Sequence, residues 1–273
     1  MTLHGRAGAR RVQAVLDTGD PGAVTIGGAL ARIGEPLGPV TIMESGTGPH
    51  RVCPVWFDSV AAIGARWEGA VVNANLDRCD GNANIGVGFF DGARGFILDP
   101  ESQSLTVLTG ASRPLERASQ DQEWSWTPWR PDLTVRRTRE VEGRGLTLET
   151  EWSGEANRPI VVAWIHGEPI PCIVDTGAAI GLVLRNAAPF DGPSRPARLS
   201  GHGGTVRGRA WRIDGVELAG RQFGDVKVFV ADQPAPSEAG GETYGVIGMG
   251  LLGRQPVWFD LEGRRLGLGA PAR

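Results

Sequence analysis

Lysine is nearly missing from this chain: of 28 basic residues only Lys227 is lysine. The bias fits codon usage in a GC-rich, bacterial genome rather than a chemical demand. Cysteine is scarce as well. Cys53, Cys79 and Cys172 are too few and too irregularly spaced for a zinc site or a disulfide framework. Buried reduced thiols are the expectation, with Cys53 and Cys79 the pair open to oxidation in an exported protein. A formal net charge of -3 removes the electrostatic motive for binding nucleic acid or an anionic membrane surface. No apolar stretch reaches the roughly 18 residues of a membrane-spanning helix. The first thirty residues show no charged start, apolar run and small-residue cleavage site. The expectation is therefore a chain without an export signal, cytoplasmic by default, and exported if its true start lies upstream.

Turn residues are abundant instead. The 41 Gly and 19 Pro cut the chain into short pieces, and a hydrophobic content of 41% suffices to fill a core. Short apolar runs and period-two alternation, as in Val40-Thr41-Ile42, Val52 to Phe57, Trp211-Arg212-Ile213 and Val226 to Val230, read as strands. Short helices fit only at Gly27 to Ile33 and just after Gly88 and Gly250. The expected fold class is all-β.

The chain is also written twice. Residues 15–30 read VLDTGDPGAVTIGGAL and residues 173–188 read IVDTGAAIGLVLRNAA. Each copy has two apolar residues, then Asp-Thr-Gly, small residues and a strand-like run. A second landmark follows each copy at nearly the same distance: Asn84-Ile85-Gly86-Val87-Gly88-Phe89-Phe90 after Asp17, and Val246-Ile247-Gly248-Met249-Gly250-Leu251-Leu252 after Asp175. Two further short strands close each copy, Phe96 to Asp99 with Leu105 to Val107, and Val257 to Asp260 with Leu266 to Leu268. Residues 113–143 match neither copy and read as an interlobe connection, and their tryptophans Trp124, Trp126 and Trp129 read as packing across a seam between the halves or, alternatively, as a sugar- or ligand-binding aromatic patch.

Asp-Thr-Gly after an apolar strand, followed downstream by an apolar-Gly landmark, resembles the retropepsin-like aspartic proteases, the retroviral enzymes and their bacterial relatives. The duplication makes the chain similar in layout to pepsin-type bilobal enzymes. The resemblance implies two similar closed-barrel lobes of the acid-protease type with an interlobe cleft. Residues 1–112 would form the N-terminal lobe, 113–143 the connection and 144–273 the C-terminal lobe. It further implies that Asp17 and Asp175 are the catalytic pair. Thr18 and Thr176 would brace the opposite loop, and Gly19 and Gly177 would let the two loops approach. A flap is expected from Ser45 and Gly46 in the first lobe and from Gly201, His202, Gly203 and Gly204 in the second. The implied partner is a peptide or protein substrate, with no cofactor and no metal, and a dimer is not required for the site.

Two features depart from the family pattern. Asp20 follows the first Asp-Thr-Gly where Ala or Ser is usual. Facing the pair, its charge would raise the pair's proton affinity; turned away, it would cap a turn. Before Asp17 the leading strand is short and polar, Thr2 to Arg6, whereas Asp175 follows a clear hairpin from Pro159 to Val174.

Rival chemistries fare worse. Gly248-Met249-Gly250-Leu251-Leu252-Gly253 has the G-x-G-x-x-G form, but Pro256 falls where a phosphate-binding helix should run. His4, His50, His166 and His202 lack ligand spacing. Ser and Cys have no suggestively placed His partner. The rival from another class is a catalytically inactive protease-fold protein that binds peptide or a partner protein.

Overall fold

The computed structural model describes residues 1–20, 22–45, 48–110, 123–141, 146–184, 190, 192–201, 204–232 and 245–270. The architecture is all-β and of the acid-protease type, as expected. Among the described residues the strands form three sheets, of nine, five and ten strands. The helical segments are short: Gly28–Ile33, Val87–Phe90 and Met249–Leu252. The last spans only four residues, which removes the dinucleotide-turn reading of its glycines.

The first and last sheets repeat one motif. In the first, Ala14–Leu16 runs parallel to Ala83–Ile85, which lies antiparallel to Val24–Gly27, itself parallel to Ala65–Asn75. In the last, Glu168–Val174 runs parallel to Gly245–Ile247, which lies antiparallel to Leu182–Leu184, itself parallel to Val226–Ala231. Of these strands Val24–Gly27, Ala83–Ile85 and Leu182–Leu184 are buried along their whole length, so there the sequence shows short runs rather than alternation.

The leading hairpin of the first copy is present despite its polar sequence. Thr2–Gly5 pairs with Gly8–Arg11, and the same short strand joins Gly48–Ala62. Its anchor is Leu3, which is fully buried. The one inward position carries the strand while its neighbours are only half-buried.

The third sheet is common to both halves. Gly95–Asp99 of the first half pairs antiparallel with Val257–Asp260 of the second, with Ser104–Leu108 and Arg265–Leu268 on their outer sides. Its centre is aromatic: Phe96 stacks on Phe259 at 4.6 Å and on Phe90 at 4.3 Å between ring centroids. Within the 113–143 stretch, residues 113–122 and 142–143 lie outside the described residues. Ser125–Pro128 adds to the shared sheet beside Arg265–Leu268. Trp124 and Trp126 pack on Trp258 there, at 5.3 and 5.1 Å, and Trp129 is buried. The tryptophans thus pack on the sheet that joins the halves. Arg130–Val141 pairs antiparallel with Leu146–Ile165.

None of Cys53, Cys79 and Cys172 is paired, and Cys79 is exposed. Burial pushes the Cys172 thiol up to about 12, so it is an inert core thiol. No helix among the described residues is long and apolar enough to cross a membrane.

Candidate active site

Each Asp-Thr-Gly loop begins where a strand of a parallel pair ends. The ladder pair Leu16 and Ile85 is followed by Asp17, whose N–H donates to the Ile85 carbonyl at 2.9 Å. Val174 and Ile247 are followed in the same way by Asp175, whose N–H donates to the Ile247 carbonyl at 2.9 Å. The chain then turns back on itself, with Asp20 N–H on the Asp17 carbonyl and Ala178 N–H on the Asp175 carbonyl. Downstream, Gly86 lies under the first loop and Gly248 under the second. A Cβ at Gly86 would overlap the carbonyl oxygens of Gly22 and Asp20, and one at Gly248 those of Ile180 and Ala178. These glycines are required by close approach of backbone to backbone.

The two loops are locked together by their threonines. Thr18 Oγ1 donates to the Val174 carbonyl at 2.6 Å and accepts from Thr176 N–H at 3.1 Å. Reciprocally, Thr176 Oγ1 donates to the Leu16 carbonyl at 2.8 Å and accepts from Thr18 N–H at 3.1 Å. Thr18 is fully buried and Thr176 nearly so, so water cannot substitute for these bonds. Each intact bond contributes about 0.5–1.5 kcal/mol net, and leaving a buried partner unmatched costs more.

The lock brings the two carboxylates face to face. A Cβ at Gly19 would stand 2.6 Å from Asp175 Cγ, and one at Gly177 would stand 2.7 Å from Asp17 Cγ. Glycine at both positions therefore leaves the space that the opposite carboxylate fills. Asp17 Oδ1 accepts from Gly19 N–H at 3.1 Å. Asp175 Oδ1 accepts from Gly177 N–H at 2.7 Å and Ala178 N–H at 3.1 Å. Burial pushes the Asp17 carboxyl well above the usual carboxylate range, the charges of Asp175 and Asp20 push it the same way, and the Gly19 N–H opposes them.

Both readings of Asp20 hold in part. Its carboxylate is turned into its own loop, accepting from Gly22 N–H at 2.9 Å and from Thr25 Oγ1 at 2.7 Å. It nonetheless lies close enough for its charge to raise Asp17.

One residue at this site was missed as a functional candidate. Asn84, known from sequence only as the first residue of a repeated landmark, donates from Nδ2 to Asp17 Oδ2 at 2.6 Å. The available signal was its mismatch with Val246 in the second copy: a buried amide where the repeat has an apolar side chain.

The expected flap segments are hairpins. Thr41–Ser45 pairs with Gly48–Ala62, with Ser45 opposite Gly48. Arg195–Gly201 pairs with Gly204–Ile213, with Gly201 opposite Gly204. Gly46, His202 and Gly203 lie outside the described residues. Among the described residues no three His, Cys, Asp or Glu side chains cluster so as to hold a metal ion.

No curated protein matches the chain. A family model described as aspartyl protease matches residues 161–253. That span contains the second Asp-Thr-Gly loop, its flap-like hairpin and the Gly248 landmark. The match supports an aspartic protease family for this chain, and a proteolytic function in general.

Proposed function

We propose that the protein is a single-chain, bilobal, retropepsin-like aspartic endopeptidase of bacterial origin, with Asp17 and Asp175 as its catalytic carboxylates. The observation that carries this reading is the reciprocal bonding of Thr18 and Thr176 across the two loops, since it holds two carboxyls against each other at high cost. Residues 1–112 and 144–273 are the two lobes and 113–143 their connection, so one polypeptide supplies both halves of the site and no dimer is needed.

Peptide hydrolysis needs a base to activate water and an acid to protonate the carbonyl oxygen. Two carboxyls this close cannot both ionise, so they share one proton and serve as base and acid at the same pH. The ionised member takes a proton from a water held between them while the protonated member polarises the scissile carbonyl. The reaction requires no covalent enzyme intermediate, cofactor or metal. Substrate lies extended in the cleft and pairs its backbone with the hairpins Thr41–Ser45/Gly48–Ala62 and Arg195–Gly201/Gly204–Ile213, in the manner of strand addition. Ser45, Gly201 and Gly204, at the ends of these hairpins, face it.

The test is cleavage of a mixed peptide library between about pH 3 and 7, a range that brackets ordinary and raised carboxyl pKa values. Asp17→Asn and Asp175→Asn are each expected to lower turnover by at least about a thousandfold, and a statine inhibitor to block the wild type. A folded wild type that binds peptides but cuts none of them would replace this reading with that of a binding protein on a protease fold.

A further inference from the structure

The strand registers show which face of each half looks into the cleft. The Asn84 side chain reaches Asp17 Oδ2, so the sheet face that carries Asn84 is the one beneath the carboxylates. Residues paired across neighbouring strands share a face, and the pairing carries that face outwards. In the first half Asn84 lies beside Thr25, Thr25 beside Asn73, and Asn73 beside Pro54. In the second half Val246 lies beside Val183, Val183 beside Phe229, and Phe229 beside Ala210. Pro54 and Ala210 stand at the roots of the two flap hairpins, so each row runs from a carboxylate to a flap.

The backbones of the two rows match and their chemistry does not. Asn84, Thr25 and Asn73 stand where the second half has Val246, Val183 and Phe229. The flaps continue the difference on the same face: at matching positions Met43 lies opposite His50 in the first hairpin, and Leu199 opposite Val206 in the second. Part of the polar capacity is already in use. Asn84 is held by Asp17 and Arg78. The Thr25 hydroxyl donates to Asp20 Oδ2 at 2.7 Å and keeps oxygen lone pairs for a further bond. Asn73 is half-buried, and among the described residues its amide meets no hydrogen-bond partner. That amide presents donor and acceptor together. Phe229, at the matching position, is buried and offers only apolar surface.

We propose that Asn73 is a specificity-determining residue: with Thr25 it makes the first half of the cleft select an uncharged, hydrogen-bonding substrate side chain, a carboxamide or a hydroxyl, while the second half selects an aliphatic one. The inference rests on the peptidase reading given above. With the scissile bond between Asp17 and Asp175, the residues on its two sides fall to different halves of the cleft. A carboxamide on the first side exchanges two bonds with the Asn73 amide, one in each direction. Asp20, bonded to Thr25, disfavours a carboxylate there. On the other side Val183 and Val246 give a polar group nothing to pair with, so its desolvation goes uncompensated.

The test is the cut-site profile of the full chain on a mixed peptide library, followed by kcat/KM for paired peptides that carry asparagine or its near-isostere leucine at the preferred polar position. The wild type is expected to favour asparagine, glutamine, serine or threonine on one side of the cut and valine, leucine or isoleucine on the other. Asparagine should be preferred over leucine by about tenfold. Asn73→Leu is expected to reverse that preference and keep the aliphatic preference across the cut. Val183→Thr, the reciprocal change, relaxes the aliphatic side alone. A purely structural role for Asn73 would lower kcat/KM for both peptides by the same factor. Apolar or charged residues favoured on both sides of the wild-type cut overturn the proposal, and that observation needs no variant to fold. An unchanged asparagine-to-leucine ratio in folded Asn73→Leu overturns it equally. A wild type that cuts nothing removes the peptidase reading; the library is then scored by retention on the immobilised full chain. Retained peptides that pair a carboxamide or hydroxyl with a nearby aliphatic residue uphold the selection, and retained peptides without that pair overturn it.

Discussion

Replacing Thr18 by valine keeps the shape of the side chain and deletes its hydroxyl. Two buried partners are then stranded: the Val174 carbonyl, which loses a donor at 2.6 Å, and the Thr176 N–H, which loses an acceptor at 3.1 Å. Thr18 is fully buried, so neither partner regains a bond to water. An unmatched buried polar group costs about 1–3 kcal/mol, which makes the expected loss about 2–6 kcal/mol. That is a large share of the roughly 5–15 kcal/mol that holds an ordinary domain together. Thr18→Ser keeps both bonds and loses only a methyl group, about 1 kcal/mol. At about 2–4 °C per kcal/mol for a chain of this size, the valine variant melts roughly 5–20 °C below the wild type and the serine variant only a few degrees below it. Thermal unfolding followed by tryptophan fluorescence reads both, and peptide cleavage by the valine variant should fall further than its melting temperature alone explains. Equal melting temperatures for the two variants would refute the claim that the cross-loop bonds hold the halves of the site together.

The raised proton affinity of Asp17 makes stability depend on pH. Because the folded state holds this proton more tightly than the unfolded chain does, its contribution is fully present below the ordinary Asp pKa of about 3.9 and is lost as pH rises through the higher folded value. The stability advantage of wild type over Asp17→Asn should therefore shrink as pH rises from about 4 towards neutrality, as urea unfolding at stepped pH will show. Gly86→Ala and Gly248→Ala each force a Cβ into two carbonyl oxygens and should cost at least about 1–3 kcal/mol. Gly81→Ala, where nothing lies within 4 Å, is the control; its melting temperature should stay close to the wild-type value.

Much of the site is legible in the amino-acid order. A short apolar strand ending in Asp-Thr-Gly, with an apolar-Gly landmark downstream, is a local pattern, and its appearance twice marks Asp17 and Asp175 together. The short helical turns fall near the positions where the alternation lapses. Asn84 is different, because a single amide in an apolar run looks the same whether it faces solvent, a neighbour or a carboxylate. Its bond to Asp17 depends on Arg78 standing behind it, and that placement belongs to the packed molecule. The short, polar leading strand was legible as a strand, while its place beside Gly48–Ala62, held by the single buried residue Leu3, belongs to the packed molecule.

Sequence alone determined that this chain is all-β, that it is written twice, and which residues recur at the heart of each copy. Periodicity, glycine and local motif are properties of neighbours along the chain, and they survive without knowledge of partners. Tertiary structure alone decided that the last strands of both copies merge into one sheet through Phe96 and Phe259. It decided also that each threonine bonds the opposite loop, and that Asp17 and Asp175 have unequal surroundings. Those are contacts between segments some 158 residues apart, and which partner a side chain meets at that distance is set by packing, which no pattern along the chain encodes.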